Sequence, residues 1–405
     1  MQYVSKYKLG NFYENNYEAA FQLEVCLPYI CTMLKVGILG GGQLGRMLMQ
    51  AAANYQVETF VLENDDECPA AHLCRHFVKG NIRDFDTVYN FGKNLDAVTI
   101  EIENVNIDAL EKLESEGVQV YPKPHVLRTI KNKVLQKQYY KENQIPTAQF
   151  AVLKSVKEID QWKELLPAVQ KLAEGGYDGR GVQIIEDISS SHLGFDEHSV
   201  LERKVKIKKE IAVIIAVDQN AKTALYPPVE MVFNKDFNLL DYQLCPADIP
   251  KNVLWKIEAV ALAVVRNFNS AGLFAVELFV DENDDVFVNE TAPRVHNSGH
   301  HTIEAHYSSQ FDMLWRIILG YPLGNTKSIL PSVMVNIIGS DGYTGQPKYA
   351  GLSEVLKIDN AFVHIYGKLQ TKPGRKMGHV TILSSEKQDL IHKANKIKQL
   401  LSVIA

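Results

Sequence analysis

Glu277 and Glu290 stand on either side of one bend, Asn283-Asp284-Asp285, in a stretch that reads as strand, turn, strand. Carboxylates on adjacent strands of a hairpin can face one another at close range. In apolar surroundings such a pair is costly unless a cation neutralises it. Oxygen ligands of this kind suit Mg²⁺, the ion that accompanies nucleotide phosphates. The pair therefore predicts a nucleotide–Mg²⁺ platform. Arg294 and His296, in Glu290-Thr-Ala-Pro-Arg-Val-His-Asn-Ser-Gly-His300, are placed beside the reacting phosphate. A surface hairpin with solvated acids is the alternative. His296, His300, His301 and His306 raise the question of zinc. Pro293, Asn297 and Gly299 make this stretch a loop, without helical presentation of ligands, so no zinc site is expected.

The elements that must position these groups begin with a strand over 36–39, which runs into Gly40-Gly41-Gly42-Gln43-Leu44-Gly45. A helical pattern follows over 46–55, then a strand over 57–62 closed by Glu63. Gly40, Gly42 and Gly45 match G-x-G-x-x-G, and Glu63 sits where a ribose-binding acid stands in a dinucleotide fold. Any phosphate-bearing ligand could use glycines and a helix N-terminus in this way. A third strand, 97–102, ends in Glu101-Ile-Glu103-Asn104, which aims two acids from the carboxyl edge of the sheet. A polar helix is expected over 131–142, stopped before Ile145-Pro146.

From Thr147 the character changes. A strand over 150–153, a helix over 156–165 and Ala168-Val-Gln-Lys171 lead to Glu174-Gly-Gly-Tyr-Asp-Gly-Arg-Gly181. Such a loop can bring backbone N–H groups to phosphates. It lacks the Lys-Ser/Thr ending of a Walker loop, and the following residues read as a returning strand. Two strands are expected around Val205. Lys204, Lys206 and Lys208 alternate on one face, as on a solvated edge strand, whereas Glu202 and Glu210 adjoin apolar runs. After a helix over 251–269 and the opening hairpin, a helix over 311–319 ends at Gly320-Tyr-Pro322. The last stretch reads as a small β domain with a terminal helix.

Composition narrows the function classes. The chain has 405 residues, enough for two or three domains. Hydrophobic content of 46% and charged content of 22% are ordinary for a soluble enzyme. A net charge of −5 gives no electrostatic case for nucleic acid as a partner. No apolar run is long enough to span a bilayer, so no membrane partner is expected. The five scattered cysteines fit free thiols in a reducing compartment. Residues 1–32 do not resemble a signal peptide, and Met33 directly precedes the first strand. They read as an extension upstream of the functional chain.

Taken together, the lysine strand, the Gly-Gly-Tyr-Asp-Gly-Arg-Gly loop and the late Glu…Asn-Glu hairpin resemble the ATP-grasp plan. Within it, Gly-Gly-Gln-Leu-Gly-Arg-Met at 41–47, Asn-Glu-Thr-Ala-Pro-Arg-Val-His-Asn-Ser-Gly-His at 289–300 and Lys-Pro-Gly-Arg-Lys-Met-Gly-His at 372–379 resemble the N5-carboxyaminoimidazole ribonucleotide synthetases. The resemblance runs from Met33 to the C-terminus. It implies an α/β and α+β multidomain fold. A Rossmann-like pre-ATP-grasp domain would span 33–125 and an ATP-grasp domain 126–325, with a β-rich lid over about 150–212. A small C-terminal β domain would span 326–405.

The resemblance further implies that ATP, bicarbonate and 5-aminoimidazole ribonucleotide are converted to the N5-carboxylated ribonucleotide, ADP and phosphate in purine synthesis. The cofactors would be ATP and Mg²⁺, with Mn²⁺ as an alternative ion, in a cytoplasmic homodimer. Glu277 and Glu290 would hold the metal, with Asn289 beside them. Lys133 and Lys171 would contact phosphates, and Gly175, Gly176, Tyr177, Asp178, Gly179, Arg180 and Gly181 would close over ATP. Glu202, Arg203, Lys204 and Val205 would meet adenine, and Glu210 the ribose. Arg294 and His296 would hold bicarbonate. Lys368 and Arg375, with the turn at Gln43, would serve the ribonucleotide. Asp178, with Glu101 or Glu103, would face its ring and amine.

Two departures from the family pattern are expected to matter. Ala173 and Glu174 replace a more basic lid approach, and Phe233 stands where many members have a histidine. The rival readings are a formate-dependent glycinamide ribonucleotide transformylase and an NAD-dependent oxidoreductase built on Gly40–Gly45 and Glu63. The second leaves the 175–181 loop and the carboxylate pair unexplained.

Overall fold

A computed structural model describes residues 33–176, 181–234 and 239–405. The extension 1–32 and the lid residues Tyr177, Asp178, Gly179 and Arg180 lie outside these. The chain enters a five-stranded parallel sheet in the order His76–Lys79, Val57–Glu63, Leu34–Leu39, Ala97–Ile100, Gln119–Tyr121. Its central strands are nearly continuous apolar runs, as a sheet covered on both faces requires, and Val36, Ile38, Leu39 and Val98 are wholly buried. The strand order reverses between Leu34–Leu39 and Ala97–Ile100. The Gly40–Gly45 turn and Glu101 emerge together at that reversal.

The main body is a nine-stranded sheet of antiparallel neighbours. Val286–Ala292, Gly272–Asp281, Ile207–Val217, Val229–Asn234 and Leu239–Cys245 form one half, and Thr223–Leu225 joins Ile207–Val217. Ser332–Ile338, Lys376–Leu383 and Ala361–Ile365 continue the same sheet beyond Leu239–Cys245. The expected C-terminal β domain thus shares a sheet with the segment before it. Helix Lys251–Arg266 packs on this sheet through Val253, Ile257, Ala261 and Val264, a spacing that puts all four on one face.

A separate four-stranded sheet, in the order Phe150–Leu153, Ser199–Arg203, Ala168–Leu172, Val182–Ile185, carries the lysine strand and the glycine-rich turn. This sheet ends at Arg203, and the next strand, from Ile207, belongs to the large sheet. The helix expected over 156–165 is a 3₁₀ segment instead, kinked at Trp162 (φ −122°, ψ 31°). The polar helix expected over 131–142 is two helices, Pro124–Lys131 and Lys133–Glu142. Asn132 takes extended backbone between them and accepts hydrogen bonds from the Val134 and Leu135 N–H groups. Among the described residues, no helix is long and apolar enough to cross a membrane.

The parallel sheet is fastened to the body by its first helix, Gln43–Ala52. Leu44, Met47 and Leu48 share a core with Phe311, Leu314 and Trp315 of helix Gln310–Ile318. The buried Trp315 indole N–H donates to the Leu48 carbonyl at 2.8 Å. Trp315→Phe removes that donor and part of the ring, leaving the Leu48 carbonyl short of a partner. It is expected to cost about 2 kcal/mol of unfolding free energy, read from the urea midpoint.

Candidate active site

The carboxylate pair is made by one irregularity of register. Leu278 pairs with Val288, but the next pair is Glu277 with Glu290, so Asn289 is the extra residue of a β-bulge. In an unbroken ladder Asn289 would stand opposite Glu277. The bulge brings Glu290 there instead and frees the Asn289 amide to accept from the Lys171 ammonium at 2.8 Å. Burial, together with the charges of Glu290 and Glu210, pushes the Glu277 carboxyl well above the usual carboxylate range. The Lys133 ammonium, paired directly with Glu290, holds that carboxyl well below it.

Two lysines of helix Lys133–Glu142 are held by carboxylates here, Lys133 by Glu290 and Lys137 by Glu202. Burial works against the charge on Lys133, but Glu290, Glu277 and Glu202 outweigh it and keep it an ammonium. One helical turn on, Lys137 is wholly buried. It lies 2.8 Å from Glu202 and also donates to the Thr147 hydroxyl at 2.7 Å. Burial pushes Lys137 down to about 8, against the pull of Glu202. Lys171 reaches the other oxygen of Glu202 at 3.1 Å. Burial would raise the Glu202 carboxyl, yet the two lysines hold it below its ordinary value. Its side chain is thereby committed to the lysines. Lys137 was missed in the sequence, although its position four residues after Lys133 signals a shared face.

The residues expected at adenine and ribose separate. Glu202 and Arg203 end the lid strand, and Lys204 and Val205 lie in the connection to Ile207–Val217. The Arg203 guanidinium is turned to Gln149 and the Glu164 carbonyl, and the Lys204 ammonium to Glu186. Glu210 sits across from Phe279 in the large sheet, and burial pushes its carboxyl up to about 7 although Lys171 opposes this. Gly175 and Gly181 have φ of +80° and +73° at the two ends of the glycine-rich turn, a conformation that favours glycine. Gly176 adjoins them, and a Cβ on Gly181 would lie 3.1 Å from its Cα. Glu174 accepts from the Asn132 amide at 3.0 Å, and the Ala173 carbonyl takes the Lys133 N–H at 2.8 Å. The Glu174 side chain and the Ala173 main chain therefore tie the lid strand to the start of the lysine helix.

Beyond Glu290, the loop is held by Gln310, a residue the sequence did not flag. Its amide accepts from the His296 N–H at 2.8 Å and donates to the His296 carbonyl at 2.7 Å. The His296 ring accepts from the Ser298 N–H at Nδ1, 3.3 Å away, which leaves Nε2–H directed toward Glu277 at 3.6 Å. Burial, Arg294 and Lys376 push His296 down to about 3, so it is a neutral donor and not a cation. Positive charge at this end comes from Arg294, which pairs with Glu103 at 2.9 Å. His300 instead packs against His379, and His301 against His306.

The Gly40–Gly45 turn holds no open cradle of N–H groups. Glu101 accepts from the Gly42 and Gly45 N–H groups, both at 2.9 Å, and Glu63 accepts from Gly41 at 3.1 Å. A Cβ at Gly40 would lie 2.4 Å from the Glu101 Cγ, so that glycine serves the approach of a carboxylate. The groups that the dinucleotide reading needs are thus engaged within the protein. Gln43 at the same turn accepts from Lys368 at 2.6 Å, which joins positions 325 residues apart. Arg375 is turned away to the Gln370 carbonyl at 2.7 Å, in its own exposed loop. Lys376 acts on His296, and sequence reasoning had passed over it for Arg375.

A carboxylate pair opposed across a hairpin, lysines from a helix and from a lid strand, and a small separate sheet beside a large antiparallel one are the marks of an ATP-grasp protein. Residues 138–311 match the ATP-grasp domain, residues 33–131 the ribonucleotide synthetase preATP-grasp domain, and residues 332–393 the phosphoribosylaminoimidazole carboxylase C-terminal domain. The N5-carboxyaminoimidazole ribonucleotide synthase of Aquifex aeolicus is 35% identical, covering 91% of this chain and 97% of that one. The chloroplastic phosphoribosylaminoimidazole carboxylase of Vigna aconitifolia is 36% identical over 86% of this chain, which spans 64% of that longer protein. The crystal structure of the Aspergillus clavatus N5-carboxyaminoimidazole synthase with ADP and 5-aminoimidazole ribonucleotide matches with a TM-score of 0.82 and 32% identity. It covers 91% of this chain and 98% of that one. The chain belongs to the N5-carboxyaminoimidazole ribonucleotide synthetase family.

The buried Glu202 cluster generates a prediction of its own. Lys137→Met leaves Glu202 with Lys171 alone and is expected to cost about 3 kcal/mol of unfolding free energy. Adding Glu202→Gln to that variant restores part of the loss. Urea unfolding of the single and double variants reads both effects.

Proposed function

We propose that this chain carboxylates 5-aminoimidazole ribonucleotide on its exocyclic amine, using ATP and bicarbonate and releasing ADP and phosphate. The observation that carries the proposal is the opposition of Glu277 and Glu290 beside Lys133 and Lys171, in a chain of this family. The donor set suits Mg²⁺ or Mn²⁺: all oxygen, with Glu277 destabilised by neighbouring carboxylates, a penalty that a dication relieves. Glu277 and Glu290 would hold that ion, and its chemistry is to neutralise and orient the ATP phosphates. Bound in the same cleft, the nucleotide would have its phosphates between Lys133 and Lys171, under Gly175, Gly176 and Gly181. The remaining turn residues, Tyr177, Asp178, Gly179 and Arg180, belong to the same assignment.

In the reaction, a bicarbonate oxygen attacks the γ-phosphorus and ADP leaves. The carboxyphosphate so formed has a good leaving group on carbon. The amine of the ribonucleotide captures that carbon, phosphate departs, and the amine loses a proton. Catalysis of this type is mostly placement and charge neutralisation. Arg294 supplies fixed positive charge where the carboxylate oxygens gather, and Glu103 orients it. His296 donates a neutral hydrogen bond. The ribonucleotide phosphate is assigned to the junction of Gln43 with Lys368, with Arg375 and Lys376 nearby in sequence. We place the enzyme in the cytoplasm as a homodimer on family grounds.

ADP release measured with and without bicarbonate and 5-aminoimidazole ribonucleotide tests the assignment. Turnover should require both, and turnover indifferent to both would overturn it. Glu290→Gln is expected to abolish ATP turnover while leaving the far-ultraviolet circular dichroism unchanged.

A second measurement concerns Glu210. Its carboxyl is pushed up to about 7, so it is protonated below that pH and loses acceptor capacity toward ribose hydroxyls. KM for ATP should rise as pH falls below about 7. The rise should be absent for 2′,3′-dideoxy-ATP; an equal rise with that analogue rules out the ribose contact.

A further inference from the structure

Cys245, His301 and His306 converge in the body of the protein, away from the carboxylate pair. Cys245 closes strand Leu239–Cys245, and the two histidines flank the short helix Thr302–Ala305. Their exposures are 2%, 1% and 3%, so all three are almost wholly buried. One ligand atom from each lies within 4.8 Å of the other two. Their hydrogen bonding is incomplete. Both ring nitrogens of His301 and Nδ1 of His306 have no hydrogen-bond partner. The Cys245 thiol has only a long contact to the Pro227 carbonyl, at 3.8 Å, with the Ser328 hydroxyl beside it. Unpaired buried nitrogens are costly, and an imidazole here cannot turn to water.

We propose that Cys245, His301 and His306 bind a zinc ion. One sulfur and two imidazole nitrogens form a borderline-soft donor set that suits Zn²⁺ and disfavours the hard Mg²⁺ expected at Glu277 and Glu290. A supporting group for one ligand is already in place. His306 Nε2 meets the Ser328 hydroxyl at 3.1 Å, which leaves Nδ1 as its free nitrogen. Outer partners of this kind orient metal-bound imidazoles. Binding is a ligand exchange without redox change. The thiol releases its proton to solvent, the thiolate and two neutral imidazoles each give an electron pair to Zn²⁺, and water leaves the ion. A water molecule retained by the ion completes four-coordination.

The ion would have a structural role. His301 and His306 follow directly on the segment that carries Arg294 and His296, and Cys245 pairs with Ser332 where the two halves of the large sheet meet. Zinc would fasten the anion-binding loop to that seam. The sequence hid this site because Cys245 is distant in the chain, and only two of the four clustered histidines take part.

The test uses the full chain, purified without chelator. Elemental analysis should find one zinc per chain. Replacement by Co²⁺ should give a thiolate-to-cobalt charge-transfer band and visible absorption of tetrahedral strength. Co²⁺ at the Glu277–Glu290 pair has only oxygen ligands and gives no such band. Cys245→Ser should abolish the band, His306→Gln should weaken or shift it, and serine at Cys26, Cys31, Cys68 and Cys74 should leave it. Chelation of the wild-type protein should lower Tm by several degrees, and added zinc should restore it. Absence of both zinc and the cobalt band in the wild-type chain overturns the proposal, as does a band that survives Cys245→Ser. The wild-type spectrum requires no variant to fold.

Discussion

Two carboxylates that face each other across a hairpin repel, and the ladder fixes them opposite one another. Much of the site answers that repulsion. The first lysine of one helix is set against Glu290, and the lid strand contributes Lys171 to Asn289. Lys137, Lys171 and Glu202 form a second charged cluster behind the first, so the lysines are themselves braced by an anion. Charge is balanced locally, from three separate elements, and this fixes how helix, lid and hairpin must meet. The residual imbalance falls on Glu277, the carboxyl with most to gain from a metal ion.

The far end of the site is assembled across long sequence distances. Arg294 pairs with Glu103 of the parallel sheet domain, and Gln43 of that same domain takes a hydrogen bond from Lys368. The Trp315–Leu48 bond fixes the helix that begins at Gln43. Arg294 and Lys368 are therefore positioned by contacts between regions, and no single region carries both pairs. The neutral state of His296 follows from this crowding: burial and the cations Arg294 and Lys376 both disfavour a further positive charge.

Much of this was legible in the sequence, and the limits have physical causes. Alternation and apolar runs revealed the three central strands of the parallel sheet and the hairpin, but not its short edge strands His76–Lys79 and Gln119–Tyr121, and glycine density marked the lid turn. The opposition of Glu277 and Glu290 was anticipated, but not its means. A bulge adds one residue to a strand without a compositional mark, and Asn289 looks like any polar strand residue. Lys137 was hidden because the helix reads as polar throughout, while burial of a lysine depends on a partner from a distant strand. Gln310 and Lys376 act through tertiary contacts that local pattern does not encode. Glu101 and Glu103 looked equivalent at a strand end. The structure separates them, one beneath the glycine turn and one on Arg294. Tyr177, Asp178, Gly179 and Arg180 fall outside the described residues.

The glycine turn has a further consequence when viewed as a binding equilibrium. Its N–H groups at Gly42 and Gly45 already hold an anion, the carboxylate of Glu101, tethered by the fold. A tethered ligand acts at a high effective concentration, which a free dinucleotide phosphate must overcome to displace it. Burial also makes Glu101 costly as an unpaired charge, so release would penalise the protein as well. The two N–H groups that most resemble a nucleotide cradle are thus already occupied by the protein's own carboxylate, and a dinucleotide phosphate would have to compete with it.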